Sequence, residues 1–254
     1  MSAVTILDVF PGHFDQNGDS GNLLALRRRL EWAGLDVVVA SVDPGDAWPA
    51  EAPDFVLVGG GSIPAQRDAL PSLVAESSRL GDWIAGGTAY LAVAGGYALS
   101  TAIVHFPGDD ASQAGAGVFP ARSEPLESLA TGMLVVRSAG LGVLHGYVNL
   151  RQRVILQDAP EHALGEIVRG PWTGMDGRPE GAIAGSAFGS HAHGPLLPKN
   201  PVLADAFIRL GLARRGLAER YVPGERHAHV DELARRARAS LAQRLELPAP
   251  DPAS

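Results

Sequence analysis

The chain has 254 residues, 46% of them hydrophobic and 19% charged, with a mean hydropathy of +0.05, a globular composition that excludes a disordered or fibrous polypeptide. Its 21 basic residues against 28 acidic ones give a net charge of −7, which argues against a nucleic-acid partner, and no run approaches the ~18 apolar residues of a membrane span. Cysteine is absent, so disulfides, thiolate zinc sites and a cysteine nucleophile are all excluded.

Val4–Val9 reads as the first strand, and the residues before it lack the basic segment and cleavage site of a secretion signal, so a cytoplasmic protein is expected. A Gly18-Asp19-Ser20-Gly21 turn leads into a helix from about Asn22 to Ala33, with Leu23, Leu26 and Leu30 at helical spacing and Gly34 as its stop. Asp19 and Asn22 are residue types that cap helix starts. Leu35–Val42 and Phe55–Val58 are apolar runs short enough to be strands buried on both faces of a parallel sheet, and Ala89–Val93 makes another. Strands alternating with helical segments predict an α/β fold, a mostly parallel sheet covered by helices on both sides.

The second half is more β-like. Leu134–Arg137, Val143–Val148, Val154–Leu156, Glu166–Val168 and Ala182–Phe188 are short runs separated by glycines, expected as β-hairpins appended to the parallel core. A helix follows Pro201 and carries Leu203, Phe207 and Leu210. The last helix, about Ala228 to Leu245, has Val230, Leu233, Ala237 and Leu241 on one face and Arg235, Arg236 and Arg238 near the other, so it should pack on the body or on a partner. We divide the chain into a main domain, residues 1–222, and a C-terminal helix and tail, residues 223–254, of which Leu247–Ser254 reads as a frayed terminus. Lys199 is the single lysine among the basic residues.

Open α/β sheets carry their sites at the carboxyl ends of the strands, which directs attention to the loops there. Gly59-Gly60-Gly61-Ser62, after the Phe55–Val58 strand, is either a cradle of backbone amides for a ligand or a tight strand-to-helix turn. Val93-Ala94-Gly95-Gly96-Tyr97, between a strand and a predicted helix, has the pattern of a nucleophile elbow, with alanine where the nucleophile belongs. His191 and His193 follow the Ala182–Phe188 strand in a loop stiffened by Gly194-Pro195 and Pro198-Lys199-Asn200-Pro201. No third ligand stands near them, so no metal is expected; His193 is placed either as a general base or as a structural hydrogen-bonding residue.

These segments together resemble the GatD-type class I glutamine amidotransferases of the CobB/CobQ kind. The resemblance rests on Gly18-Asp19-Ser20-Gly21-Asn22-Leu23-Leu24 with Arg29-Leu30-Glu31-Trp32, on Gly59-Gly60-Gly61 with Gln66-Arg67-Asp68, on Ala92-Val93-Ala94-Gly95-Gly96-Tyr97, and most specifically on His193-Gly194-Pro195-Leu196-Leu197-Pro198-Lys199-Asn200-Pro201. Order and spacing agree over roughly Thr5 to Arg215. It implies a class I glutamine amidotransferase-like (flavodoxin-like) fold, no cofactor, no membrane insertion, and a partner, the Mur-ligase-like MurT type of ATP-dependent synthetase, to which ammonia from glutamine is supplied for amidation of the peptidoglycan precursor lipid II.

Carried over position by position, the family cysteine falls on Ala94 and its histidine on His193; Gly59, Gly60, Gly61 and Gly95 would hold the oxyanion, and Tyr97 and Arg153 belong to the substrate site. A methyl group forms no thioester, and loss of such a nucleophile costs about 10^6-fold in turnover. Other positions depart as well. Ala98 follows Tyr97 where the family has glutamine. Gly146-Tyr147-Val148-Asn149-Leu150-Arg151-Gln152-Arg153 keeps only part of the family's glutamine-holding segment, and Pro171-Trp172-Thr173-Gly174 replaces a Gly-Asn-Asn turn. Erosion around the elbow points to a natural inactive or repurposed homologue; the alternative is an active glutaminase subunit whose cysteine was changed to alanine at position 94. A residual pocket of helix N-termini, the amides of Gly59 to Ser62, Arg153 and His193 would still suit an amide or anionic ligand such as glutamine. Ser62, Ser100 and Ser190 are the hydroxyls available to a relocated centre, and none sits at the elbow.

Overall fold

The computed structural model describes residues 3–156, 162–171 and 178–246. Trp172 to Gly174 of the altered turn and the tail Leu247–Ser254 lie outside the described residues. In chain order the first half runs β1 (Val4–Val9), α1 (Ser20–Trp32), β2 (Val37–Val42), β3 (Phe55–Val58), α2 (Ile63–Ala75), α3 (Ser77–Ala85), β4 (Ala89–Val93), α4 (Gly95–Leu99), β5 (Thr101–Val104) and β6 (Gln113–Ala114). The second half runs β7 (Phe119–Ser138), β8 (Gly142–Leu156), β9 (Gly165–Arg169), β10 (Pro179–Glu180), β11 (Ala182–Ala184), β12 (Ala187–Ser190), α5 (Leu196–Lys199), α6 (Pro201–Ala213) and α7 (Glu225–Arg244).

The first sheet has the order β11-β12-β4-β3-β1-β2 and is parallel except for the β11/β12 pair. Strands β3 and β4 are buried along their whole length, because helices cover both faces. On one face Leu26 and Leu30 of α1 meet Leu203, Phe207 and Leu212 of α6; on the other Leu70 and Leu73 of α2 meet Leu80 and Trp83 of α3. The mostly parallel, helix-covered sheet is the one the alternating pattern predicts. Among the described residues no helix is long and apolar enough to cross a membrane.

Three boundaries differ from the sequence reading. The runs expected as separate hairpins belong to one long ladder, in which β7, 20 residues long, pairs antiparallel with β8, 15 residues long, and carries β5 in parallel on its far side. Ala182–Phe188 is not one strand; it turns at Gly185-Ser186, and the Gly185 φ of +58° lets β11 fold back on β12. The last helix is rotated: it buries His227, Ala234 and Arg238, leaving Leu233 52% exposed. Polar chemistry sets that rotation. Arg29, buried in α1, binds Asp205 at 2.6 Å and Asp231 at 2.6 Å, while His227 Nε2 lies 2.9 Å from the Arg29 carbonyl. Helix α7 therefore joins α1 through an ionic network.

Candidate functional site

The elbow is present in full. Strand β4 ends at Val93, Ala94 follows with φ 50° and ψ −115°, and α4 begins at Gly95. A side chain in that region of backbone space costs of order 1–3 kcal/mol, and the packing around Ala94 holds it there. Its amide donates to the Ser190 carbonyl of β12 at 2.8 Å. The Gly96 amide donates to the Gly59 carbonyl at 2.9 Å, and a Cβ on Gly96 would sit 2.5 Å from that oxygen. Only a bare backbone fits there.

The glycine loop is divided in its duties. Gly59 faces inward, toward a small cavity of about 60 Å³ shared with Asp8, Asp15 and Asp19, where burial and the charges of Asp15 and Asp43 push the Asp8 carboxyl up to about 6. The Gly60 amide donates to Asp19 Oδ2 at 2.8 Å, so the Asp19 carboxylate already occupies it. Gly61 is left beside the elbow: a Cβ on Gly95 would lie 3.1 Å from its nitrogen. Asp19 thus does not act as the helix cap its position suggests; it makes no capping bond with its own helix, because its carboxylate turns inward to Gly60 and toward the Gly194 amide, 3.4 Å away. Asn22 likewise turns away from capping and accepts the Leu197 amide at 2.8 Å, which fixes the loop after His193 on α1.

His193 is fully enclosed, paired through its backbone with Tyr147 of β8. Its Nδ1 lies 3.6 Å from Asp19 Oδ2 and 3.5 Å from Asn17 Nδ2, and its buried Nε2 has no partner among the described residues. A ring oriented by an acid through one nitrogen suits a general base, but the other nitrogen is enclosed and His193 does not line the cavity in front of the elbow. His191 is engaged elsewhere: its Nε2 accepts the Val154 amide at 2.7 Å and its Nδ1 lies 3.6 Å from the buried Glu180. The two imidazoles do not converge, and among the described residues no group of three or more His, Asp or Glu is arranged to hold a metal.

In front of the elbow lies a cavity of about 390 Å³ lined by Gly61, Ser62, Gln66, Ala94, Gly95, Asn149, Arg151, Gln152 and His191, with Leu129 and Leu150 as apolar wall. Two buried amide oxygens, Gln66 Oε1 and Gln152 Oε1, have no hydrogen-bond partner among the described residues, while their NH2 groups donate to Gly61 O and to His105 O and Ser123 Oγ. The sequence reading passed over both glutamines. Arg153 stands outside this lining and pairs with Glu124 at 3.4 Å, while its neighbour Arg151 reaches the cavity. Tyr97 is buried behind His191, ring centroids 5.3 Å apart, where burial holds its hydroxyl far above the usual phenol range. Of the hydroxyls, Ser62 accepts the Ala65 amide of α2, Ser100 is locked between Tyr90 and the Gly96 carbonyl, and Ser190 donates to Glu180.

One buried side chain, between α5 and α6, ties α5 to β8. Asn200 donates to the carbonyls of His145 and Leu196 and accepts the His145 amide, each at 2.8 Å. The His145 imidazole is pushed down to about 4 by burial and by the nearby Arg238 and Lys199.

Comparison with known proteins follows this geometry. Over 217 residues the chain is 26% identical to the lipid II isoglutaminyl synthase (glutamine-hydrolyzing) subunit GatD of Staphylococcus aureus (strain N315), covering 85% of this chain and 88% of the relative. Over 200 residues it is 26% identical to the subunit of the same name from Streptococcus pneumoniae (strain ATCC BAA-255 / R6), covering 78% of this chain and 76% of the relative. A crystal structure of a glutamine amidotransferase matches with a TM-score of 0.53 at 17% identity, over 81% of this chain and 98% of that one. No protein-family model matches the chain. The fold is that of the glutamine amidotransferases, and the chain is similar to GatD along most of its length.

Proposed function

We propose that this protein is a GatD-like, glutamine amidotransferase-fold subunit of a cytoplasmic complex that amidates lipid II, docked on a Mur-ligase-like, MurT-type synthetase, and that it does not hydrolyse glutamine itself. The observation that carries the reading is Ala94, a methyl group held at the apex of a strained elbow. Glutaminase chemistry needs an atom there that attacks the amide carbon, carries the acyl group and later releases it to water. A methyl does none of these, and none of Ser62, Ser100 and Ser190 stands at the apex: Ser62 caps α2, Ser100 donates to the Gly96 carbonyl and Ser190 donates to Glu180.

Binding is a separate matter. Arg151 and the side chains of Gln66, Asn149 and Gln152 line the cavity, a guanidinium for a carboxylate and amide groups for an amide; the Gln66 and Gln152 oxygens are enclosed in its wall and need a small side-chain rotation to meet an NH2 group. An amino-acid amide such as glutamine presents that combination, so the pocket suits recognition without turnover. Ammonia release from glutamine, measured with and without the synthetase, tests the reading, and Ala94→Cys discriminates within it. A natural, eroded site predicts that Ala94→Cys stays silent even with the partner. Partner-stimulated glutaminase turnover by Ala94→Cys supports the second reading instead, an ordinary ammonia-supplying subunit lacking only its sulfur; His193, with Asp19 beside one ring nitrogen, is the observation favouring that second reading.

A further inference from the structure

Helix α7 turns its hydrophobic stripe away from the protein. Val230, Leu233 and Ala237 share one side at i, i+3 and i+7, yet Leu233 is 52% exposed, Ala237 is exposed and Val230 is only half-buried. The polar contacts of His227 and Asp231 with Arg29 fix the helix in that rotation. Beside the stripe, α1 contributes Leu24, 57% exposed, and Trp32, and the loop after His193 contributes Pro195, Leu197 and Pro198. With Val230 these line an apolar groove of about 590 Å³ between two helices.

The rim of the groove is basic. Arg29 and Arg238 are buried, but on the outer faces of α1 and α7 the arginines still outnumber the carboxylates: Arg27 and Arg28 share the one Glu31, and Arg235 and Arg236 share the one Glu232. Arg28 lies at the groove, and Arg226 and His229 are exposed on the flank of the stripe.

We propose that this groove and stripe seat an amphipathic helix of a partner subunit, with acidic residues flanking its apolar face. Apolar side chains of such a helix would fill the space between α1 and α7, and its carboxylates would meet the arginine rim. A second copy of this chain fits poorly, since it would bring one basic rim against another. The occupant would also touch Pro195, two residues from His193 and packed so closely on α1 that a Cβ on Gly21 would lie 2.6 Å from it. Docking and the site are thereby joined through one stiff loop. The inference rests on the proposed function for the existence of a synthetase partner.

The absence of cysteine makes the test direct, because Leu233→Cys carries the only thiol. Purified Leu233→Cys, and Ile103→Cys on the second sheet as a control, are alkylated with and without the Mur-ligase-like synthetase. The expected result is about tenfold protection at position 233, none at 103, and about tenfold weaker binding for Leu24→Glu with unchanged melting, the complex weakening as salt rises. A complex that leaves the 233 thiol fully reactive, or that Leu24→Glu does not weaken, overturns the assignment, as does concentration-dependent protection without synthetase, which marks self-association. Failure to form any complex instead removes the partner reading itself, and this surface assignment with it.

Discussion

The elbow side of the cavity and the hairpin facing it differ in what they have kept. Strand β4, Ala94, α4 and the glycine loop hold the backbone of an elbow with a methyl at its apex, and Asp19 joins the Gly60 amide of that loop to His193, 3.6 Å away. Across the cavity, β8 supplies the register for a binding wall but sends Arg153 to Glu124 and lines the space with Leu150, Arg151 and Gln152. Backbone geometry is secured by the packing of the whole sheet, whereas a single side chain on the cavity wall can change without disturbing it.

The largest effect expected from that difference is at the elbow. Gly96→Ala places a methyl 2.5 Å from the Gly59 carbonyl and 2.6 Å from that of Val58, and should cost about 3 kcal/mol in denaturant unfolding. A loss below about 1 kcal/mol would mean that the elbow backbone yields easily and that packing does not hold it.

On the hairpin side the sharpest handle is pH. His145 is held down to about 4 in the folded state, below its ordinary 6.5, so protonation favours the unfolded chain. Its contribution is fully present above pH ~6.5 and is lost as pH falls toward ~4, up to about 3 kcal/mol. Asp8, raised to about 6, runs the other way, its burial costing stability as pH rises from ~4 to ~6. Unfolding measured from pH 7.5 to pH 4.5 should therefore show a shallower acid limb in His145→Gln than in the parent, and an unchanged limb would remove His145 from the account. The smallest effect returns to the elbow: Ala94→Gly relieves the positive φ and should stabilise by about 1 kcal/mol, whereas destabilisation would show that the alanine is not strained.

How much of this was legible in the sequence follows the chemistry of each element. The parallel strands announced themselves because burial on both faces leaves apolar runs such as Phe55–Val58, and the elbow because its glycines serve only a close backbone approach. The β7/β8 ladder is hard to read as one element because Pro125, Gly132 and the charged Arg122, Glu124 and Glu127 interrupt any alternation, and its register shifts between Pro125 and Ala130. The rotation of α7 was missed because hydrophobicity cannot weigh a buried Arg29 network that prefers His227 and Asp231 inward. Asp19 was read as a cap because local spacing cannot foresee a contact with Gly60, 41 residues on.

The most direct test of the central claim is ammonia release from glutamine by the unmodified protein, purified free of other glutaminases and mixed with the synthetase. No release above background is expected at any concentration of either protein, while glutamine still binds. Sustained, partner-stimulated release from the unmodified chain would contradict it and would require a nucleophile other than the residue at the elbow.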